Sequence, residues 1–362
     1  MKPSEKGVHF DYVCVDAEPL GTENDVCLVG DINGNGRNDI VIGGKYGEHN
    51  LVWYENPTWT RHVIATTHLE AGGVLVDVNH NGRLDIVAGN PLEAPEGYTN
   101  TDLYWFESPH DPRQPWAQHI ITRAFQKYHD QTVGDVDGDG QLEILFASQG
   151  VGVVGYFDVP KDPTVSPWPT DHCHLIAENL YVEGLRVVDI DGDGVNEIIA
   201  GPNILKRNAD GVWHRTELAP DFHQTRVAVA DLDGDGRLDI VVSEGESDEG
   251  RVAWFQGPDW VMTVLGDDFF HPHSLEIADF DGSGRPDIFV GEMGLRGYPN
   301  PREVIFYNRG DGLFTPVIIG QLATHDAKVG DISGNGRPDI VGKPYSPENR
   351  VDLWLNRGPC SP

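Results

Sequence analysis

Cysteine and methionine are nearly absent from this chain, with four and three in 362 residues. Cys14, Cys27, Cys173 and Cys360 are too few and too scattered for a disulfide framework, and no C-x-x-C pair occurs. Reduced thiols are expected. The first 20 residues carry no basic start followed by an apolar run, so no signal peptide is visible. Both features point to a cytoplasmic protein; the alternative is a secreted one whose leader has been removed. No apolar run reaches the roughly 18 residues of a membrane span. Lysine and arginine number 26 against 58 aspartates and glutamates, a net charge of −32. Such acidity argues against nucleic acid and anionic membrane surfaces as partners. Also missing are the G-x-S-x-G elbow, the G-x-x-x-x-G-K-S/T loop and H-E-x-x-H.

What the chain has instead is a repeat. An acid, a spacer, Asp/Asn/Ser, a spacer, Asp/Asn/Ser, Gly, two residues, a carboxylate and Ile recur seven times. The copies start at Asp31, Asp77, Asp135, Asp189, Asp231, Asp279 and Asp331. Their spacing of about 50 residues suits a four-stranded propeller blade. The flanks are short, β-branched and bounded by glycine, as strands are. An apolar strand precedes each loop and another follows it. A third strand often carries paired aromatics (LVWYENP at 51–57, LYWFESP at 103–109, VAWFQGP at 252–258). A fourth leads to the next copy. The expected fold is all-β: one domain over 1–362, a seven-bladed propeller of four-stranded blades. The chain ends on a third strand at 350–356, so residues 8–15 are expected to complete the C-terminal blade, 325–356, and close the ring. Closure removes an exposed edge.

Oxygen side chains at loop positions 1, 3, 5 and 9 suit a hard cation, and glycine at position 6 permits the tight turn. The candidate ligands are Asp31, Asn33, Asn35 and Asp39; Asp77, Asn79, Asn81 and Asp85; Asp135, Asp137, Asp139 and Glu143; Asp189, Asp191, Asp193 and Glu197; Asp231, Asp233, Asp235 and Asp239; Asp279, Asp281, Ser283 and Asp287; and Asp331, Ser333, Asn335 and Asp339. Structural Ca2+ or Mg2+ is the expected cofactor. The loops starting at Asp135, Asp189 and Asp231 carry four acids each and are expected to bind most tightly. An EF-hand is excluded, because position 12 is never Glu and the flanks are strands.

With these loops on one face, function is expected at the other, where the innermost strands begin around a central channel. Six residues before each first acid stand Asp25, Ala71, His129, Glu183, Thr225, His273 and His325. Five of these seven are ionisable. Histidine is the side chain best suited to acid–base work or metal ligation near neutrality. A further divalent metal at these histidines is therefore a second expected cofactor. Catalytic candidates are His129, His273, His325, Tyr128, His223, Arg226 and Glu183. Substrate-binding candidates are Asp25, Glu70, His271, Lys45, Tyr46, Gln149, Glu244, Glu292, Arg296 and Lys343. His62, His119 and His214 are expected to be solvated residues of the blade periphery.

The loops and their following strands resemble the FG-GAP/VCBS repeats of integrin α-subunit propellers and many microbial proteins. A looser likeness, resting on the histidine ring and the lack of an appended domain, is to the propeller of aldos-2-ulose dehydratase and to propeller-type polysaccharide lyases. That likeness implies a carbohydrate-active lyase or dehydratase, performing β-elimination on a sugar or uronic-acid derivative at the channel mouth. The alternative is a calcium-dependent lectin or adhesion propeller without catalysis. Because the residues of the histidine face differ from blade to blade, one central site is expected rather than a pocket repeated in each blade.

Overall fold

A computed structural model describes residues 7–94 and 96–359; Cys360 lies outside them. The other three cysteines are free thiols. The strands assemble into seven four-stranded antiparallel sheets, each built from consecutive strands except the last. The seven innermost strands are Thr22–Gly30, Val74–Val76, Tyr128–Gly134, Leu185–Val188, Thr225–Ala230, Ser274–Ala278 and Lys328–Gly330. Every cation loop is the turn from an innermost strand to its antiparallel partner, so all seven share one face. Gly30 pairs with Asp39 and Ala230 with Asp239 across that turn.

The third strands end where the sequence turns to proline or glycine. Leu51–Glu55 and Leu103–Glu107 stop before the prolines of 51–57 and 103–109, because proline has no N–H to give the ladder. Alternate residues of the middle strands are buried against the blade on either side. Trp53 and Ile86 share one inter-blade cluster, and Trp105 and Phe146 the next. The core is therefore seven similar seams between sheets.

The ring closes as expected. Val8–Asp16 is the outermost strand of the last blade, paired with Val351–Pro359 from Val8↔Pro359 to Asp16↔Val351. It also ties that blade to its neighbours. The Val8 N–H donates to the Tyr307 hydroxyl at 3.1 Å, Phe10 packs edge-on to Phe280, and the Tyr54 hydroxyl donates to Asp16 at 2.8 Å.

Candidate functional site

In each cation loop, the first acid takes the N–H of the glycine at position 6. The seven contacts run from Asp31–Gly36 at 2.7 Å to Asp135–Gly140 at 3.1 Å. These glycines have φ between 77° and 89°, a left-handed conformation that glycine adopts at little cost. Acids at positions 1, 3 and 9 converge in four loops: Asp135/Asp137/Glu143, Asp189/Asp191/Glu197, Asp231/Asp233/Asp239 and Asp279/Asp281/Asp287. Position 5 does something else. Its side chain caps the N–H two residues on, as Asp139 does for Gln141 and Asp235 for Arg237, both at 2.8 Å.

Position 9 has a second job that the spacing did not reveal. It is buried in every blade, and one oxygen accepts the N–H of position 2. In five blades the other oxygen accepts an N–H from the end of the third strand, such as Asn56 to Asp39 and Gly257 to Asp239, both at 2.8 Å. Burial pushes the carboxyls of Asp85, Glu143 and Asp287 up to about 7.

One loop already has a cation from its own chain. The Lys206 ammonium lies against Asp191, 2.8 Å from Asp193 and 2.8 Å from Glu197. At the corresponding register blades 1 and 2 carry Glu55 and Glu107, which accept from Asn33 and Asn79 at 3.2 and 2.8 Å. The other two loops with four acids face Asp158 and Gln256 at this register, so the basic residue is particular to the loop at Asp189. Lys206→Gln is expected to tighten Ca2+ binding at this loop by up to about fivefold, the scale of an exposed ion pair. Calorimetric Ca2+ titration of both proteins checks it; superimposable isotherms would show that the amine does not compete.

The opposite face holds the polar ring. His129 Nε2 stands 3.5 Å from Glu183 Oε1 and His273 Nε2 3.6 Å from Glu183 Oε2. The His325 ring stacks on His273 with centroids 4.1 Å apart. His325 Nδ1 lies 3.6 Å from Asp25 and 3.0 Å from Lys343 Nζ. All five ring members are at most 3% exposed. Burial drives the three imidazoles well below their ordinary range, His273 to about 3, and raises Asp25 and Glu183 to about 7. The histidines are thus neutral at pH 7. His129 Nδ1, both His273 nitrogens and Glu183 Oε2 have no hydrogen-bond partner.

Above this ring opens a cavity of about 290 Å3, bordered by Glu23, Lys45, Tyr46, Glu70, Glu93, Lys127 and Tyr345 among others. Lys45 reaches Asp25 at 2.9 Å, Glu70 at 3.2 Å and the Tyr345 hydroxyl at 3.0 Å. That hydroxyl donates to Glu23 at 2.9 Å. Burial opposes charge on Lys45, but Asp25 and Glu70 more than offset it and hold the amine protonated. Burial and Asp25 hold the Tyr345 phenol protonated. Below the ring a second charged layer borders a cavity of about 350 Å3, and there Arg226 meets Asp326 at 3.1 Å and Asp130 at 3.9 Å.

The expected site residues therefore separate. Asp25, His129, Glu183, His273, His325 and Lys343 converge, with Lys45, Tyr46 and Glu70 at the rim. Gln149 joins them by donating to Glu183 at 2.6 Å. Tyr128 turns away: it packs on Phe125 and Phe146, and its hydroxyl donates to the Thr101 carbonyl. Arg226 is committed to its acids in the lower layer. His223 and Arg296 are exposed. Glu244 and Glu292 are paired with Arg251 and Arg302, and His271 with Asp248 at 2.8 Å. Two peripheral histidines are less solvated than expected: His62 and His119 stack on Trp53 and Trp105 at 4.6 and 4.5 Å and bond Glu55 and Glu107. Tyr345, Glu246 and Lys127 complete the site. Tyr345 and Glu246 sit, like Gln149, on loops between second and third strands, and Lys127 just before an innermost strand.

The FG-GAP-like repeat family model matches residues 31–88, 77–146, 189–242, 231–290 and 279–342, which together contain all seven loops. No curated protein matches the chain. Among solved structures, an ancestral GH74 enzyme aligns with TM-score 0.65 and 9% identity, over 96% of this chain and 49% of that one. The chain thus spans about half of that enzyme. BBS1N, solved in complex with ARL6DN, aligns with TM-score 0.60 and 11% identity over 97% of both chains. The Vibrio cholerae biofilm matrix protein Bap1 aligns with TM-score 0.49 and 11% identity, over 94% of this chain and 88% of that one. At these identities the likeness is one of fold.

Proposed function

We propose, for a chain that belongs to the FG-GAP-like repeat family, that the channel mouth is the active site of a lyase or dehydratase acting on a sugar or uronic-acid derivative. The propeller itself does not specify a reaction. The observation that carries this reading is the chain Glu23–Tyr345–Lys45–Glu70, a phenol and an ammonium in contact, the pair flanked by two acids at the edge of an open polar cavity. Lys45 carries a fixed positive charge to meet a substrate carboxylate or carbonyl oxygen. Glu70 faces the same cavity and takes the proton from the carbon alpha to that group. The electron pair released forms the carbon–carbon double bond and expels the oxygen on the β carbon. Tyr345, kept protonated, gives its proton to that leaving oxygen. The phenolate left behind lies beside Lys45, which stabilises it. The blade-loop cations, Ca2+ or Mg2+ in this reading, stay on the far face and take no part.

The test is a panel of oligouronides and anhydro-ketoses, with product read as the ultraviolet absorbance of a double bond conjugated to a carbonyl or carboxylate. Tyr345→Phe and Glu70→Gln should each lower kcat by about 10²–10⁴-fold while the Tm changes little. His214→Ala, on the blade periphery, should be neutral. Full turnover in both site variants would end this reading. Saturable sugar binding with no product from any substrate would hand it to a carbohydrate-binding propeller.

A further inference from the structure

We infer that the top of the channel is a transition-metal centre whose ligands are His129, Glu183, Glu246 and His273. It goes beyond the elimination reading, since none of these four side chains has a role in the proton transfers above. One ligand atom from each lies within 4.8 Å of the others. Four successive blades, the third to the sixth, supply one residue apiece. The two histidine–glutamate separations, 3.5 and 3.6 Å, are long for hydrogen bonds. They are close to the separation of about 3.4 Å that two ligands ~2.1 Å from one ion show at a tetrahedral angle.

Burial gives the independent reason. His273 is 0% exposed with neither ring nitrogen partnered, and Glu183 is 0% exposed with Oε2 unpartnered. A buried polar atom without a partner costs on the order of 1–3 kcal/mol, and native interiors rarely leave several facing one point. An ion at that point would bond one His273 nitrogen and Glu183 Oε2 together. The carboxylates are also held by outer donors, as metal ligands usually are. Gln149 donates to Glu183 and Gln224 to Glu246, each at 2.6 Å. The stacked His325 ring fixes the plane of His273.

The donor set decides the metal class. The blade loops offer only oxygen and suit Ca2+ or Mg2+, whereas two imidazoles with two carboxylates favour Zn2+, Mn2+, Fe2+ or Co2+. Glu246 is the least buried of the four and marks the side of the ion that faces the mouth.

The experiment strips the full-length protein with a strong chelator and restores excess Ca2+. It then titrates Co2+, reading visible absorbance and metal content after gel filtration. One equivalent of Co2+ per chain should be retained in the presence of Ca2+, with the intense visible bands of a low-coordinate ion. His273→Ala and Glu183→Gln should lose it. Glu246→Gln, which removes charge at the least buried position and should leave the fold intact, should weaken retention by at least about tenfold. Wild-type protein that retains no Co2+ beyond the Ca2+-exchangeable pool would overturn the inference. So would Glu246→Gln and His129→Ala proteins that fold and retain it unchanged. Tyr345→Phe should keep the metal in full, so a loaded protein without turnover would sink the elimination reading and leave the metal centre standing.

Discussion

Removal of residues 1–16 is expected to make the protein aggregate, with a loss of Tm well beyond that of any single surface substitution. The deleted strand, Val8–Asp16, is the entire outer edge of the last blade. Without it the nine residues Val351–Pro359 present unpaired N–H and C=O groups along one side, a template for intermolecular pairing. The loss reaches further than one sheet. The Val8 N–H contact to Tyr307 belongs to blade 6, and the Asp16 contacts to Tyr54 and Arg61, at 2.8 and 2.7 Å, belong to blade 1. A propeller is stabilised by seven equivalent seams, so opening one frees both adjoining blades. Size-exclusion chromatography with thermal melts checks it, and a truncated monomer with the parent Tm would show that the closure carries no stability.

The closure was legible because the repeat left one strand short at the end and one spare at the start. The same counting located the cation loops and placed Asp25, His129, Glu183, His273 and His325 on one rim, since residues at equal distance from a repeated turn occupy equal positions around the axis. Counting failed wherever a residue's direction, rather than its register, decides its role. Tyr128 precedes His129 in sequence, but strand alternation sends it into the seam between blades 2 and 3. Arg226 follows Thr225 at the rim, yet its long side chain descends to Asp326 and Asp130. Lys206 escaped notice because its importance lies in the three acids it meets across the blade, not in any motif.

Position 9 of the cation loops was read as a ligand and proves also to be a clamp, and the two roles predict opposite responses to chelation. Asp239→Ala removes the acceptor for the Leu232 N–H at 3.0 Å and the Gly257 N–H at 2.8 Å. Leu232 is 1% exposed and Asp239 itself 1% exposed, so water cannot readily replace the lost partner. Each stranded donor costs on the order of 1–3 kcal/mol, a large fraction of the stability of an ordinary domain. That loss should persist in excess chelator, because it owes nothing to an ion. Asp233→Asn behaves differently. Asp233 is only partly buried, and one oxygen accepts from the exposed Asp235 N–H and the other from Gln256; the amide oxygen of asparagine keeps the first bond, and Gln256 can turn its own carbonyl to accept from the new NH2. Its expected cost is therefore the reduced hold on a cation, present with Ca2+ and gone without it, since a ligand that binds only the folded state stabilises by mass action. Thermal melts of the parent and both variants, each with Ca2+ and with chelator, separate the roles. The clamp assignment fails if the two variants lose the same increment of Tm under chelation, or if Asp239→Ala melts with the parent once the cation is removed.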